Sequence, residues 1–345
     1  MLKTESSVQK GKLRLAINGF GRTGRAATRI ALENPLIEVV AINSKADAKN
    51  YAYLLKYDSL YGNYEKEIVA VDEQTITIDG KPLKVFAQDE EAMPWKDLNI
   101  DIVIESSGKF TKRDKAEVHL RDGAKRVIIG SPAKGDDGTF VMGVNEKTFD
   151  PQRHFIVSNA SCTTNCLAPL AMILDKELGI EKGFMTTTHA YTNDQRLHDN
   201  SHKKDLRRAR AATYSIIPTS TGAAAAIGLV LPQLKGKLDG VSLRVPVPVV
   251  SIIDLTVETR KKTSPEELNM LFKKYEKGEL KGVLGTSDQP LVSVDFKGDS
   301  RSSIVDTELT QVIDGNLVKV FSWYDNEWGY ASRVIDLALY IHNNS

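Results

Sequence analysis

Through the first half of the chain, short β-branched apolar runs alternate with helical apolar spacing. Leu13 to Asn18, Val39 to Asn43, Ile100 to Glu105 and Arg126 to Ile129 have the length and residue types of buried strands. Gly24 to Glu33, between the first two, has helical spacing and stops near Asn34-Pro35. This alternation predicts a parallel sheet covered by helices. Val69 to Val85 reads as two alternating strands around Asp79-Gly80, a hairpin inserted in the same domain. Beyond about residue 160 longer strand patterns take over: Phe184 to His189, Val241 to Arg244, Val249 to Thr259, Leu291 to Phe296 and Leu317 to Trp323. They predict a mostly antiparallel sheet in a separate α+β domain. The last stretch, Tyr330 to His342, is helical by the spacing of Val334, Leu337, Ala338 and Ile341.

A chain of 345 residues exceeds one ordinary domain, which agrees with this change of pattern. With 46 basic against 45 acidic residues, bulk charge gives no means of holding nucleic acid or an acidic membrane. Two cysteines make no disulfide framework, so a reducing, cytoplasmic setting is expected. No apolar run approaches the roughly 20 residues of a membrane span. Met1 to Lys12 is polar and mixed, without the apolar core of a signal peptide, and reads as a loose tail.

The cysteines are where chemistry enters. An apolar, strand-like run, His154 to Val157, passes through Ser158-Asn159-Ala160 into Ser161-Cys162-Thr163-Thr164-Asn165-Cys166, and Leu167 to Leu178 carries helical spacing. Cys162 therefore falls in the first turn of a helix, beside unpaired N–H groups and the positive end of the helix dipole. Both favour the thiolate, the nucleophilic form. Cys166, one turn later, reads as a small packed side chain; a disulfide across one turn would strain its geometry. His189, within Thr186-Thr187-Thr188-His189-Ala190-Tyr191-Thr192, sits near a strand end. If the fold brings it to Cys162, it is the general base and ion-pair partner.

Gly19-Phe20-Gly21-Arg22-Thr23-Gly24 follows a strand and opens a helix, the setting in which glycines let a pyrophosphate approach the helix N-terminus. The first domain is thus expected to be a Rossmann dinucleotide-binding domain. Its second strand ends in Asn43-Ser44-Lys45, where an Asp or Glu would hold the ribose hydroxyls. A carboxylate repels a 2′-phosphate, whereas a hydroxyl followed by an ammonium accepts one. NADP is therefore expected to be admitted, unless Asp47 supplies the missing acid. The run Lys203, Lys204, Arg207, Arg208 and Arg210, offset by Asp199 and Asp205, is too short for nucleic-acid binding. Pro218-Thr219-Ser220-Thr221-Gly222 and Arg244 offer the hydroxyls, glycine N–H and guanidinium that a phosphate site needs. No metal-ligand set is expected.

Together, Asn18-Gly-Phe-Gly-Arg, Ser158-Asn-Ala-Ser-Cys-Thr-Thr-Asn-Cys, His189-Ala-Tyr-Thr-Asn-Asp-Gln, Thr219-Ser-Thr-Gly-Ala-Ala and Trp323-Tyr-Asp-Asn-Glu-Trp-Gly-Tyr resemble the phosphorylating glyceraldehyde-3-phosphate dehydrogenases, from about Leu13 to the C-terminus. The resemblance implies an NAD(P)-binding Rossmann domain over 13–161, completed by a C-terminal helix over 327–345, around a catalytic domain over 162–326. It implies that Cys162 attacks the aldehyde of glyceraldehyde 3-phosphate, with His189 as base, and that inorganic phosphate then releases an acyl phosphate. Ser161, Thr163, Thr221 and Gly222 match the site of the attacking phosphate. Thr192 and Arg208, with Arg207 as the alternative, match the site of the substrate's phosphate, and Arg244 lies between the two. Asn326 matches the residue that fixes the nicotinamide amide, with Tyr330 near it; Gln88, Ser107-Gly108 and Gly130 match lesser contacts to NADP or NAD. Homotetramers are implied, with a loop over roughly Thr186 to Arg208 reaching a neighbour's cofactor. In that loop Asp199-Asn200-Ser201-His202 is similar to the NADP-using plastid branch, which makes Ser201 a second candidate for the 2′-phosphate. Erythrose-4-phosphate dehydrogenase and a non-catalytic cofactor-binding regulator are the alternatives. Ala225 and Val245-Pro-Val-Pro-Val249 depart from the family pattern.

Overall fold

The computed structural model describes residues 11–88 and 92–345, so the expected tail, apart from Gly11 and Lys12, lies outside the described residues. The opening strand β1 (Leu13–Asn18) runs into α1 (Arg22–Leu32) and returns as β2 (Ile37–Asn43), parallel to β1. Next come α2 (Ala48–Lys56) and a two-residue ribbon, β3 (Tyr57–Asp58) with β4 (Gly62–Asn63).

The stretch expected to be a simple hairpin is three strands, β5 (Ile68–Asp72), β6 (Thr75–Ile78) and β7 (Lys81–Phe86). Asp79 and Gly80 both take positive φ, 48° and 77°, as the expected tight turn requires. A second turn precedes it, held by Asp72 Oδ1, which accepts from Gln74 N. β7 then pairs in parallel with β2, so the hairpin extends the main sheet. β8 (Ile102–Glu105), α3 (Arg113–Arg121), β9 (Arg126–Ile129), β10 (Gly138–Thr139) and β11 (Ile156–Ser158) complete a nine-stranded sheet in the order β10-β11-β9-β8-β1-β2-β7-β6-β5.

The chain then enters α4 (Cys162–Leu178), β12 (Ile180–Ala190), β13 (Ile217–Ser220), α5 (Ala223–Val230), β14 (Leu238–Val245), β15 (Ser251–Thr259), α6 (Pro265–Lys277), β16 (Leu284–Ser287), β17 (Ser303–Ile313) and β18 (Leu317–Tyr324). These strands form a second sheet, β13-β14-β12-β15-β18-β17-β16, antiparallel except where β14 meets β12 and β16 meets β17. One expected strand, Leu291 to Phe296, is absent. Its end is a 3-10 turn, Ser293–Phe296, because Asp295 accepts from Val292 N at 2.8 Å. Its apolar residues Leu291, Val292 and Val294 are exposed, and Phe296 alone is buried, stacked on Trp323 at 5.3 Å.

The last helix, α7 (Trp328–Asn343), returns to the first sheet. Its Val334, Leu337, Ala338 and Ile341 share one buried cluster with Leu13, Ile17 and Ala27. The α4–α6 side of the second sheet has its own cluster, centred on Leu167, Leu170, Ile253, Leu255 and Phe272. Cys162 is the cysteine that packs against both clusters.

Candidate active site

Two cavities, of about 380 and 690 Å³, adjoin across Gly21, Ser106 and Ser107 and form one groove. The smaller end is lined by Asn18, Gly19, Phe20, Asn43, Ser44, Lys45, Gln88 and Phe110 among others. The larger end runs past Arg22, Thr23, Gly108 and Gly130 to Ser161, Cys162, His189, Thr192, Asn326 and Tyr330.

The middle of the groove fits a pyrophosphate. A Cβ on Gly19, whose φ is +97°, would lie 2.3 Å from Ser107 N, and one on Gly24 would lie 2.1 Å from Gly19 O. Both glycines are required by close backbone approach. A Cβ on Gly21 would instead meet nothing within 4 Å, and α1 starts there with no side-chain cap and no acidic residue in its first turn. Its N–H groups are left for an anion. The Arg22 side chain is otherwise engaged: it donates to Glu327 at 2.6 to 3.0 Å and pairs with Asp58. What Arg22 offers the groove is its backbone.

At the far end Asn43 borders the cavity, but its amide is committed. Nδ2 donates to Asn18 Oδ1 (2.8 Å) and Gln88 O (3.2 Å), and Oδ1 accepts from Gln88 N (3.1 Å). Ser44 and Lys45 line this corner beside it. Asp47 is the N-cap of α2: its carboxylate accepts from Asn50 N and Nδ2, both at 2.8 Å, and it does not line the groove. The alternative in which Asp47 replaces the ribose-binding acid is therefore disfavoured.

At the other end Ala160 takes φ 55°, turning β11 into α4. Ser161 is the N-cap, its Oγ accepting from Thr164 N at 2.9 Å, and Cys162 is the first helical residue. Cys162 Sγ lies 3.4 Å from His189 Nε2. His189 stands opposite Arg244 in the parallel pairing of β12 and β14, and Arg244 Nη1 reaches His189 Nδ1 at 2.8 Å and Ala190 O at 3.1 Å. Among the described residues the buried Arg244 Nε has no hydrogen-bond partner, a donor left over for an anion. Burial pushes the Cys162 thiol up, against the pull of Arg244 and the helix N-terminus. Burial, then Arg244, pushes His189 down, to about 3.

The chain matches the family description "Glyceraldehyde 3-phosphate dehydrogenase, NAD binding domain" over residues 13–113 and "Glyceraldehyde 3-phosphate dehydrogenase, C-terminal domain" over 161–326. It is 55% identical over 330 residues to glyceraldehyde-3-phosphate dehydrogenase of Geobacillus stearothermophilus, covering 95% of this chain and 98% of that one. Against glyceraldehyde-3-phosphate dehydrogenase B, chloroplastic, of Pisum sativum it is 54% identical over 342 residues, covering 97% and 75%. The chain belongs to the glyceraldehyde 3-phosphate dehydrogenase family. Its first domain is accordingly the family's NAD-binding Rossmann domain and its second the C-terminal domain, a fold class in line with the sequence reading.

Within this family's site, the remaining expected residues fall into two groups. Arg208 is tied to Asp194, on the cavity wall, and to Asp205 at 3.4 Å, and it lies close enough to His189 and Arg244 to repel protons from both. Arg207 is exposed and makes no such contact, so the geometry favours Arg208. Thr163 is buried, with its hydroxyl bonded to Tyr324 OH at 2.9 Å. Thr221 Oγ1 accepts from Ala223 N at the start of α5, where Gly222 is the N-cap. Thr163, Thr221, Gly222 and Ser201 do not line the groove within this one chain. Ser201 is exposed, its carbonyl accepting from Arg196 Nε at 2.9 Å.

Two residues escaped the sequence reading. Ser251 accepts from Ala190 N and donates to Asn326 Oδ1 (2.9 Å), which leaves Asn326 Nδ2 as the group free to donate. Tyr324 bridges Thr163 and Thr187, at 2.9 and 2.8 Å, beneath the cysteine. A serine starting a strand carries no local signal. Tyr324 lay inside a quoted motif but alternates inward like any strand residue. Ala225 is exposed on α5, and nothing in the structure explains it or the Val245–Val249 stretch.

Proposed function

We propose that the protein catalyses the reversible oxidative phosphorylation of D-glyceraldehyde 3-phosphate to 1,3-bisphosphoglycerate with NADP and/or NAD. The observation that carries this reading is the line Cys162–His189–Arg244 at the end of a groove whose middle is a glycine cradle. Cys162 Sγ adds to the aldehyde carbon while His189 Nε2 handles the proton, giving a thiohemiacetal. The bound nicotinamide supplies the hydride acceptor. Departure of the hydride, with the hydroxyl proton passing to His189 Nε2, leaves a thioester on Cys162, and inorganic phosphate attacks its carbonyl, expelling the thiolate and forming the acyl phosphate. Arg244, with Arg208 and Thr192, would hold the substrate's phosphate; Ser161, Thr163, Thr221 and Gly222 would hold the attacking one with Arg244. Asn326 Nδ2, oriented by Ser251, would receive the nicotinamide amide near Tyr330.

The relatives favour this triose over erythrose 4-phosphate, and the retained Cys162, His189 and Arg244 argue against a non-catalytic regulator. Among the described residues no helix is long and apolar enough to cross a membrane. We read the protein as cytoplasmic and homotetrameric, with Ser201 of an adjacent subunit completing the corner at Ser44, and NADP use as pointing to a gluconeogenic or other biosynthetic role beside glycolysis. The test is initial rates with glyceraldehyde 3-phosphate and phosphate, NADP against NAD, in wild type and Ser44→Asp. Turnover with a tenfold or greater loss of NADP efficiency in Ser44→Asp, equivalent to about 1.4 kcal/mol, is expected. Unchanged NADP efficiency refutes the 2′-phosphate reading, and no turnover with either cofactor refutes the reaction.

A further inference from the structure

Below the smaller end of the groove lies a buried polar chain that touches no ligand space itself. Glu105, at the end of β8, is 2% exposed, and His119, on α3, is likewise 2% exposed. Among the described residues, all of Glu105's hydrogen-bond contacts are with groups able to donate. Oε1 accepts from Ser107 N (2.8 Å) and from Ser107 Oγ; Oε2 accepts from Asn18 Nδ2 and meets His119 Nε2 at 3.0 Å. Trp95 Nε1 approaches His119 Nδ1 at 3.2 Å. An indole N–H only donates, so Nδ1 is the acceptor and the imidazole proton is on Nε2, facing Glu105. The chain therefore has one direction: Trp95 donates to His119, and His119 donates to Glu105.

From Glu105 the order continues into the groove. Holding Nδ2 of Asn18 turns Asn18 Oδ1 toward Asn43 Nδ2 (2.8 Å), and Asn43 Oδ1 then receives Gln88 N (3.1 Å). On the other branch Ser107 is fixed by two bonds directly beside Gly19. Asn18, Asn43, Gln88 and Ser107 all line the cavity that ends at Ser44, and Glu105, His119 and Trp95 do not. The ends of β1 and β2 and the loops after β7 and β8 are thus aligned by a single carboxylate from behind.

We propose that Glu105 and His119 are positioning residues for the adenosine end of the dinucleotide, acting through Asn18, Asn43, Gln88 and Ser107. The proposal rests on the cofactor reading above. It separates binding from chemistry, because Cys162 and His189 belong to the other end of the groove. The isosteric Glu105→Gln must place an NH₂ group where two donors already converge, so it disorders one branch.

The test is the dissociation constant of NADP by calorimetric titration of the full protein, with kcat at saturating cofactor and the thermal midpoint measured alongside. Glu105→Gln and His119→Leu are expected to weaken binding at least tenfold while kcat stays within about twofold. His119→Gln, which can accept from Trp95 and donate to Glu105, is expected to recover binding to within about threefold of wild type. Wild-type affinity in Glu105→Gln or in folded His119→Leu, even with a lowered midpoint, overturns the proposal, as does a His119→Gln variant no better than His119→Leu. If wild type binds NADP but oxidises no triose phosphate, the reaction assignment fails while this titration still decides the positioning role.

Discussion

Replacing His189 by Asn tests the centre of the site, because it removes the charge partner of Cys162 and keeps a polar side chain of similar reach. With Sγ and Nε2 at 3.4 Å, a thiolate–imidazolium pair attracts by roughly 5 kcal/mol at an effective dielectric of about 20. That corresponds to about 3.5 pKa units on the thiol. Burial works against the charged forms, pushing Cys162 up and, with Arg244, His189 down to about 3, so the imidazole is charged in the assay range only where the thiolate has formed beside it. Yet Cys162 faces the 690 Å³ cavity, where water offsets part of that penalty, and it starts α4, whose N–H groups favour the anion. The attraction between the partners and the helix N-terminus therefore supply the thiolate, and loss of the first should raise the apparent thiol pKa by roughly 2 to 3 units. The assay is the rate of alkylation by iodoacetamide from about pH 5 to about pH 10, which follows the thiolate fraction. Cys166 is a poor competitor, since it is fully buried and its thiol is pushed up to about 12. Turnover should fall by roughly 10²–10⁴ as the base is lost. An alkylation midpoint that moves by less than about half a unit refutes the ion-pair argument, whatever happens to turnover.

Two further substitutions examine the frame. Gly24→Ala places a Cβ 2.1 Å from Gly19 O, and should cost about 1–3 kcal/mol of stability by urea titration as well as dinucleotide affinity. Gly21→Ala meets nothing within 4 Å and should lose affinity alone, so equal stability in both variants contradicts the close-approach reading. Asp58→Asn probes the tie between α1 and the β3–β4 ribbon. Burial favours the neutral acid there, but Arg22 and the Tyr61 and Leu60 N–H groups outweigh it and hold the Asp58 carboxyl below its ordinary value. A depressed folded pKa means stabilisation present above the unfolded value and lost as pH falls through the folded one. Asp58→Asn should thus destabilise by about 1.5–3 kcal/mol near neutral pH, with the difference from wild type closing below about pH 4. A deficit that is constant with pH removes the charge from the explanation.

The parts of this molecule legible in its sequence are those whose cause is local. β1 and β9 begin and end where the apolar runs do, and α4 starts at Cys162, because Ser161 caps it and small residues permit the turn. The glycine cradle was legible for the same reason: its spacing is the geometry. Leu291 to Phe296 failed because apolar content was read without the competing bond from Asp295 to Val292 N, which closes a turn instead. β17 was missed because its outward residues are polar and only its partner β18 explains its existence.

The site divides along the same line. Cys162 owes its helix-start position to five or six neighbouring residues, so sequence alone located it. Its contact with His189, and that of His189 with Arg244, have no local source. The second depends on β14 crossing back to lie parallel to β12, in the register that sets Arg244 against His189, after the chain has passed through β13 and α5. Shifting that register by one residue would turn the Arg244 side chain to the opposite face of the sheet. The motifs could therefore name the nucleophile, the base and Arg244, but the contact of the guanidinium with His189 is specified by the packing of the whole second sheet. The same holds for Glu105, which reads in sequence as the polar end of an apolar strand. Only the convergence of β1, β8 and α3 shows that its carboxylate points inward, where Asn18, Ser107 and His119 meet it.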